Sequence, residues 1–204
     1  GLQVTDVATP EAFRANPRLV QRFYNERRQV LLAKAPNPAH FAIARLQREF
    51  DGEVTLITQN IDDLHERAGS DPVWHIHGEL LRSRCLGCGA VNECRSDLGE
   101  NSVCLNCGAM GKLRPHVVWF GEVPLFLEDL DARTRNATTF VAIGTSGQVY
   151  PAANFVHIAR SRGAHCVEIN LETSGAFDEF REGSAAAVTP KWVDEILARG
   201  KAKQ

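Results

Sequence analysis

No stretch of the 204-residue chain approaches the roughly 20 consecutive apolar residues that span a bilayer. Gly1 to Ala15 contains no apolar run behind a basic start, so no secretory signal is expected. The chain also lacks charge of one sign. Lys plus Arg is 23 and Asp plus Glu is 25, a formal net charge of −2. Tight non-specific binding to nucleic acid needs a basic surface, so direct nucleic-acid partners and membrane partners are not expected. Internal repeats and low-complexity tracts are missing too. Hydrophobic residues at 44% and charged residues at 24% are the proportions of a globular chain, which excludes collagen, coiled coil and disorder for the whole. The length allows one ordinary domain, or one domain with small inserted modules.

Six cysteines are present: Cys85, Cys88, Cys94, Cys104, Cys107 and Cys166. Four form two C-x2-C pairs, Cys85/Cys88 and Cys104/Cys107, with fifteen residues between them. Zinc prefers four tetrahedral thiolates, and two tight knuckles supply two each. Gly87, Gly89 and Gly108 suit the turns. Four protein ligands close the coordination sphere, so the expected Zn2+ is structural. Cys94 and Cys166 read as small buried residues. A reducing, cytoplasmic compartment is expected.

Thr9-Pro10-Glu11 predicts a helix start, a capping hydroxyl followed by proline at the first helical position. Asn16-Pro17 restarts the chain, with Leu19, Val20, Phe23, Tyr24, Arg27 and Leu31 at helical spacing. Asn37-Pro38 opens another helix, with Phe41, Ala42, Ala44 and Leu46 on its apolar side. Val54–Thr58 reads as a buried strand and Val73–His77 as a second, alternating one. Leu64–Ala68 and Glu128–Thr134 are expected helices. Thr139–Ile143 is a strand, Ala152–Arg162 a helix ended by Gly163, Cys166–Asn170 a strand, and Trp192–Arg199 a last helix. Strands alternating with helices imply an α/β fold with a mostly parallel sheet.

Three polar clusters follow strands: Thr58 to Asp62, Gly144 to Gly147, and Asn170 to Glu172. Ligands of open parallel sheets bind outside the carboxyl ends of the strands, so these clusters point to a nucleotide. His75-Ile76-His77-Gly78 offers an imidazole beside a glycine turn as a general base. The two histidines alternate along the strand, so one only should face a given side. From the residues alone, a structural histidine is the preferred reading.

Thr58-Gln59-Asn60-Ile61-Asp62-Asp63-Leu64-His65, His77-Gly78, the two cysteine pairs, Arg114 to Glu122, Gly144-Thr145-Ser146 and Asn170-Leu171-Glu172 occur in this order. Together they resemble a sirtuin, an NAD-dependent protein deacylase, over nearly all the chain. Within that family the sequence is most similar to the bacterial desuccinylase-like (class III) branch. The family's glycine-rich Gly-Ala-Gly-x-Ser loop and its Phe-Arg pair do not occur; Gly1-Leu2 resembles the stretch just after that loop.

The resemblance implies a Rossmann-like parallel sheet with helices on both faces, an inserted zinc-ribbon module and a small helical module. It implies a helical module with part of the acyl pocket at 1–50. Rossmann-like segments follow at 51–81 and 114–204, with the zinc module at 82–113. His77 would be the catalytic base. Gln59, Asn60, Ile61 and Asp62 would hold nicotinamide and its ribose. Gly144, Thr145 and Ser146 would meet the phosphates and adenosine ribose, and Asn170, Leu171, Glu172 and Ala185 the adenosine side. Val118, Phe120, Gly121 and Glu122 would receive an acyl-lysine protein or peptide. Tyr24 and Arg27, three apart on one helix face, would read the distal carboxylate of succinyl- or malonyl-lysine. The implied activity, a transferase chemistry, removes acetyl, succinyl or malonyl groups from lysine and makes nicotinamide and O-acyl-ADP-ribose. Three alternatives stay open: an NAD or acyl-peptide binding module impaired in catalysis by the missing phosphate loop, a zinc-ribbon nucleic-acid binder, against which the net charge of −2 weighs, and ADP-ribosyl transfer.

Overall fold

The computed structural model describes residues 4–145 and 152–201. In chain order, three helices come first: α1 (Val4–Val7), α2 (Pro10–Ala15) and α3 (Pro17–Leu32). Then follow α4 (Pro38–Glu49), β1 (Leu56–Thr58), α5 (Leu64–Arg67) and β2 (Val73–His75). The central part is β3 (Gly78–Cys85), β4 (Val91–Glu93), β5 (Leu113–Val117) and α6 (Leu127–Asn136). The chain ends with β6 (Thr139–Ile143), α7 (Ala152–Ser161), β7 (His165–Asn170), β8 (Glu179–Glu182) and α8 (Ala185–Lys201). Among these residues no helix is long and apolar enough to cross a membrane.

The helix starts form as their caps dictate. The Thr9 side chain accepts from Ala12 N–H, and Asn16 accepts from Leu19 N–H. Asn37 and His40 form a reciprocal capping box at α4. Each of these helices has proline in its first turn, where a missing N–H costs nothing.

Two compact units emerge. One holds residues 1–35, 57–63 and 75–125. Its sheet is antiparallel, in the order β4-β3-β5, and begins and ends outside the 82–113 segment. A polar stripe of α3 at helical spacing ties that helix down. Gln21 Nε2 donates to the Leu113 carbonyl at 2.7 Å, and Asn25 Nδ2 to the Leu98 carbonyl at 2.9 Å. Arg28 Nε donates to the Leu80 carbonyl at 3.2 Å. Val20, Phe23, Tyr24 and Leu31 are buried as well.

The other unit holds residues 36–56, 64–74 and 126–204. Its strands are parallel, in the order β6-β7-β8. Val167 and Ile169 of β7 pack with Ala42 and Leu46 of α4 and with Trp192, Val193 and Leu197 of α8. This is the expected Rossmann-like α/β layer.

Several expectations change in detail. Phe41 is 52% exposed, and the buried face of α4 is Ala39, Ala42, Ile43, Ala44 and Leu46. One helix cannot bury positions 41 and 43 on the same stripe. The last helix starts at Ala185, with Pro190 inside its second turn. There the proline withholds only one early bond, so the helix does not have to begin after it. The short β8, mostly charged in sequence, gave no alternation to read. The strand expected at Val73–His77 stops at His75, and His77 sits in the turn to β3.

Gly78 opens β3 with φ of +80°. A Cβ there would lie 2.1 Å from the His116 carbonyl oxygen, a backbone atom that cannot swing away. Gly78→Ala should therefore destabilise the fold by roughly 2–4 kcal/mol through positive φ and the clash together. Urea unfolding checks this; an unchanged midpoint would mean that the turn relaxes.

Candidate functional site

The metal centre lies in the first unit. The sulfurs of Cys85, Cys88, Cys104 and Cys107 all lie within 4.8 Å of one another, with Cys85–Cys107 and Cys88–Cys104 at 3.8 Å. A tetrahedral zinc with bonds of about 2.3 Å needs sulfur–sulfur edges of about 3.8 Å, so the donor set fits that ion in both chemistry and size. The two knuckles are built alike. Gly89 N–H donates to the Cys85 carbonyl and Gly108 N–H to the Cys104 carbonyl, each at 2.9 Å. Both glycines have positive φ, +75° and +72°. Four adjacent thiols cannot all ionise alone. Backbone N–H groups of Cys107 and Asn106 bring Cys104 down to about 7. The Ala109 N–H also favours a Cys107 thiolate, but the Cys88 and Cys104 sulfurs overcome it and push Cys107 up to about 12. A divalent cation removes that conflict. Cys94 and Cys166 are buried and are not among the four metal-site cysteines.

The histidines are sorted by burial. His77 is half-buried, and its Nδ1 lies 3.1 Å from the Gln59 carbonyl oxygen. A carbonyl only accepts, so Nδ1 carries the proton and Nε2 keeps a basic lone pair. His75 is buried, with Nδ1 3.2 Å from the Asn60 carbonyl. Both rings thus meet consecutive residues of one loop. The expected two-sided alternation does not hold: residues two apart in a strand share a face, and His77 lies in the turn beyond β2. His116 is a weak base, pushed down to about 4 by burial and then by Arg84, Arg82 and Arg114. The 59–62 loop is anchored at both ends: Asn60 N–H donates to Thr58 Oγ1 at 3.1 Å, and Leu80 N–H to the Ile61 carbonyl at 2.7 Å. Asp62, beside it, is half-buried.

Val118 to Glu122 follows β5. Val118 N–H donates to the His77 carbonyl at 2.8 Å, and Phe120 N–H to the Ala8 carbonyl at 2.9 Å. Gly121 turns with φ of +85°. The Phe120 ring is exposed. Glu122 faces inward and grips the buried Arg114 through two bonds of 2.6 and 2.9 Å, and also accepts Trp119 N–H at 2.8 Å. Burial opposes ionisation of Glu122, but Arg114 and that N–H hold its carboxyl below the ordinary value. Its contribution to stability is therefore complete above the unfolded carboxyl's pKa and is lost only as pH falls through the lower folded value.

Tyr24 is buried, and its oxygen accepts Trp119 Nε1–H at 2.9 Å. Burial raises its phenol above the usual value, so it is a neutral donor near neutral pH. Arg27, one turn on, is exposed and lies 3.5 Å over the Phe23 ring. It makes no ion pair among the described residues.

In the second unit, β6 and β7 end side by side. Gly144 N–H donates to the Ile169 carbonyl at 2.9 Å, and Asn170 Nδ2 to the Thr145 carbonyl at 3.4 Å. Gly144 is exposed at φ of +64°, and Leu171 and Glu172 are exposed beyond β7. The buried Glu168 holds the next turn by accepting from Ser174 N–H and Oγ–H and from Thr173 Oγ1–H. Small, open strand ends of a parallel sheet fit a nucleotide. Ala185 opens α8 half-buried. Ser146 lies outside the described residues. Trp119 and Arg114 belong to the Arg114 to Glu122 motif without an assigned role there, yet they carry bonds to Tyr24 and Glu122.

The family model described as Sir2 family matches residues 2–151. The chain is 55% identical over 203 residues to the NAD-dependent protein deacylase SIR2rp3 of Trypanosoma brucei brucei, covering 96% of this chain and 83% of that protein. It is 50% identical over 208 residues to an NAD-dependent protein deacylase of Vibrio cholerae, covering 99% and 85%. Among solved structures it is similar to a Sir2 homolog–NAD complex, with TM-score 0.88 and 36% identity over 97% of this chain and 79% of that one. Sir2Af2 bound to a myristoylated histone peptide is another likeness, with TM-score 0.76 and 33% identity over 98% and 87%.

Removing one thiolate should open the metal site. Cys104→Ala should lose the metal and lower the melting temperature of the protein, with zinc quantified by elemental analysis. A full complement of zinc in that variant, or none in the wild type, would contradict the site.

Proposed function

The chain belongs to the Sir2 family, and from that premise we propose that it is an NAD-dependent protein-lysine deacylase acting on acetyl-, succinyl- and malonyl-lysine. One observation carries the catalytic part: the Gln59 carbonyl fixes the proton of His77 on Nδ1, which leaves Nε2 as a base. Bound NAD would supply an anomeric carbon whose bond to nicotinamide breaks as the acyl-lysine carbonyl oxygen bonds to it; with water releasing the lysine, the acyl group would leave as O-acyl-ADP-ribose. Gln59, Asn60, Ile61 and Asp62 hold its nicotinamide end. Gly144, Thr145, Asn170, Leu171, Glu172 and Ala185 would hold its adenosine end, with Ser146 assigned there by the family resemblance alone. His77 Nε2 accepts the proton of a ribose hydroxyl as that oxygen becomes the nucleophile. Val118, Phe120 and Gly121 form the edge that receives the acyl-lysine peptide. Glu122 serves that edge from behind, since its carboxylate is already bound to Arg114. The zinc has a closed sulfur shell and a structural role. The cytoplasm is the location that suits a chain dependent on four reduced thiolates.

Succinyl selectivity rests on Tyr24 and Arg27. A forked cation and a phenol one helical turn apart suit a carboxylate, and Arg27 has no anionic partner of its own among the described residues.

In the full chain, His77→Ala should fold normally yet lose about 10²–10⁴-fold in turnover. His75→Ala should show its main effect in the melting temperature, because that ring is buried. Equal loss of turnover at both positions would remove His77 from its role. Arg27→Met should lower kcat/KM for a succinyl-lysine peptide about 10- to 100-fold, the worth of a charged hydrogen bond at an exposed position. The acetyl-lysine value should change much less; parallel loss of both activities would make Arg27 structural.

A further inference from the structure

We propose that Trp119 is a positioning residue for acyl selection, turning the Tyr24 hydroxyl into a donor aimed at the acyl tail. The proposal rests on the reading of Tyr24 and Arg27 as the carboxylate reader.

An indole N–H can only donate. At 2.9 Å from the Tyr24 oxygen it therefore takes one of that oxygen's lone pairs, and the phenolic proton must point away from Trp119. No described residue accepts that proton. A buried hydroxyl that accepts one bond and has no acceptor for its proton among the described residues calls for an acceptor from outside. Arg27 adds a second donor without an anion, on the same face of α3. A carboxylate at the end of an acyl chain answers both donors; an acetyl group offers nothing to either.

Trp119 is held as a positioning residue must be. The Arg114 guanidinium lies 3.4 Å from its ring centroid, and the Phe13 ring packs at 5.3 Å. Its backbone N–H is fixed by Glu122. Its neighbours Val118 and Phe120 are bonded to the His77 and Ala8 carbonyls. One side chain thus ties the peptide edge to the phenol.

Trp119→Phe keeps an aromatic ring and deletes the N–H. In the full chain, the succinyl-to-acetyl ratio of kcat/KM should fall about 3- to 10-fold, the worth of one neutral hydrogen bond, and the loss should appear in KM. Tyr24→Phe should lower the ratio similarly, and the double variant should fall no further than either single one. An Arg27-dependent ratio that ignores Trp119→Phe, or losses that simply add in the double variant, would overturn the proposal alone. A ratio that ignores Arg27→Met would overturn the carboxylate reading and the proposal with it. If Trp119→Phe does not fold, the indole N–H resonance that moves in Tyr24→Phe serves instead. A saturating succinyl-lysine peptide should shift it in the wild type more than an acetyl-lysine peptide does, and equal shifts would overturn the assignment.

Discussion

A guanidinium taken out of water must find its partners, and Arg114 does so in a way that shapes everything around it. Its side chain is 7% exposed. Burying such a charge alone costs several kcal/mol, and breaking a buried pair costs more than never having built it. Arg114 is matched by both oxygens of Glu122, by the Val117 and Pro115 carbonyls and by the face of Trp119. Glu122 lies only eight residues further along the chain. The pairing therefore obliges the chain to reverse, and Gly121 at positive φ is where it does. The course of residues 118–122, the proposed peptide edge, is in this sense a consequence of electrostatics.

The metal plays a similar part at the other end of the same sheet. Three short strands enclose little apolar volume, and the cluster between them is Cys85, Cys94, Leu98, Cys104 and Leu113. Three of those five are cysteines, two of them metal ligands. Metal binding is then a large share of what folds this region. The polar stripe of α3 completes the arrangement by giving Leu80, Leu98 and Leu113 carbonyls the donors that strand pairing does not supply. That stripe fixes the rotation of α3, which decides where Tyr24 and Arg27 point.

What the sequence made legible was local and repetitive. Thr9, Asn16 and Asn37 cap helices because a short polar side chain before proline has one economical use there. The cysteine spacing is geometry written into the chain. β6 was legible because strands of a buried parallel sheet read as apolar runs, and β7 reads that way on either side of its buried Glu168. The rest depends on tertiary partners. Gln21, Asn25 and Arg28 look like a solvated face until the carbonyls they meet are known. Phe41 looks like core by composition, yet it falls off the buried stripe. His75 and His77 differ in burial through a turn that an alternating pattern cannot announce. Trp119 and Arg114 are one contact seen from two ends, and neither end alone suggests it.

The proposed base and the proposed acyl reader share one scaffold. Val118 N–H is bonded to the His77 carbonyl, and the next residue, Trp119, is bonded to Tyr24. His77 itself is constrained from behind by Gly78, where the His116 backbone leaves no room for a side chain. A shift of the 118–122 segment would therefore move the imidazole and the phenol together. Energies of neighbours joined this way do not add. Substitutions along the segment should be read in pairs, because a change in acyl preference and a change in turnover can have a single structural origin there.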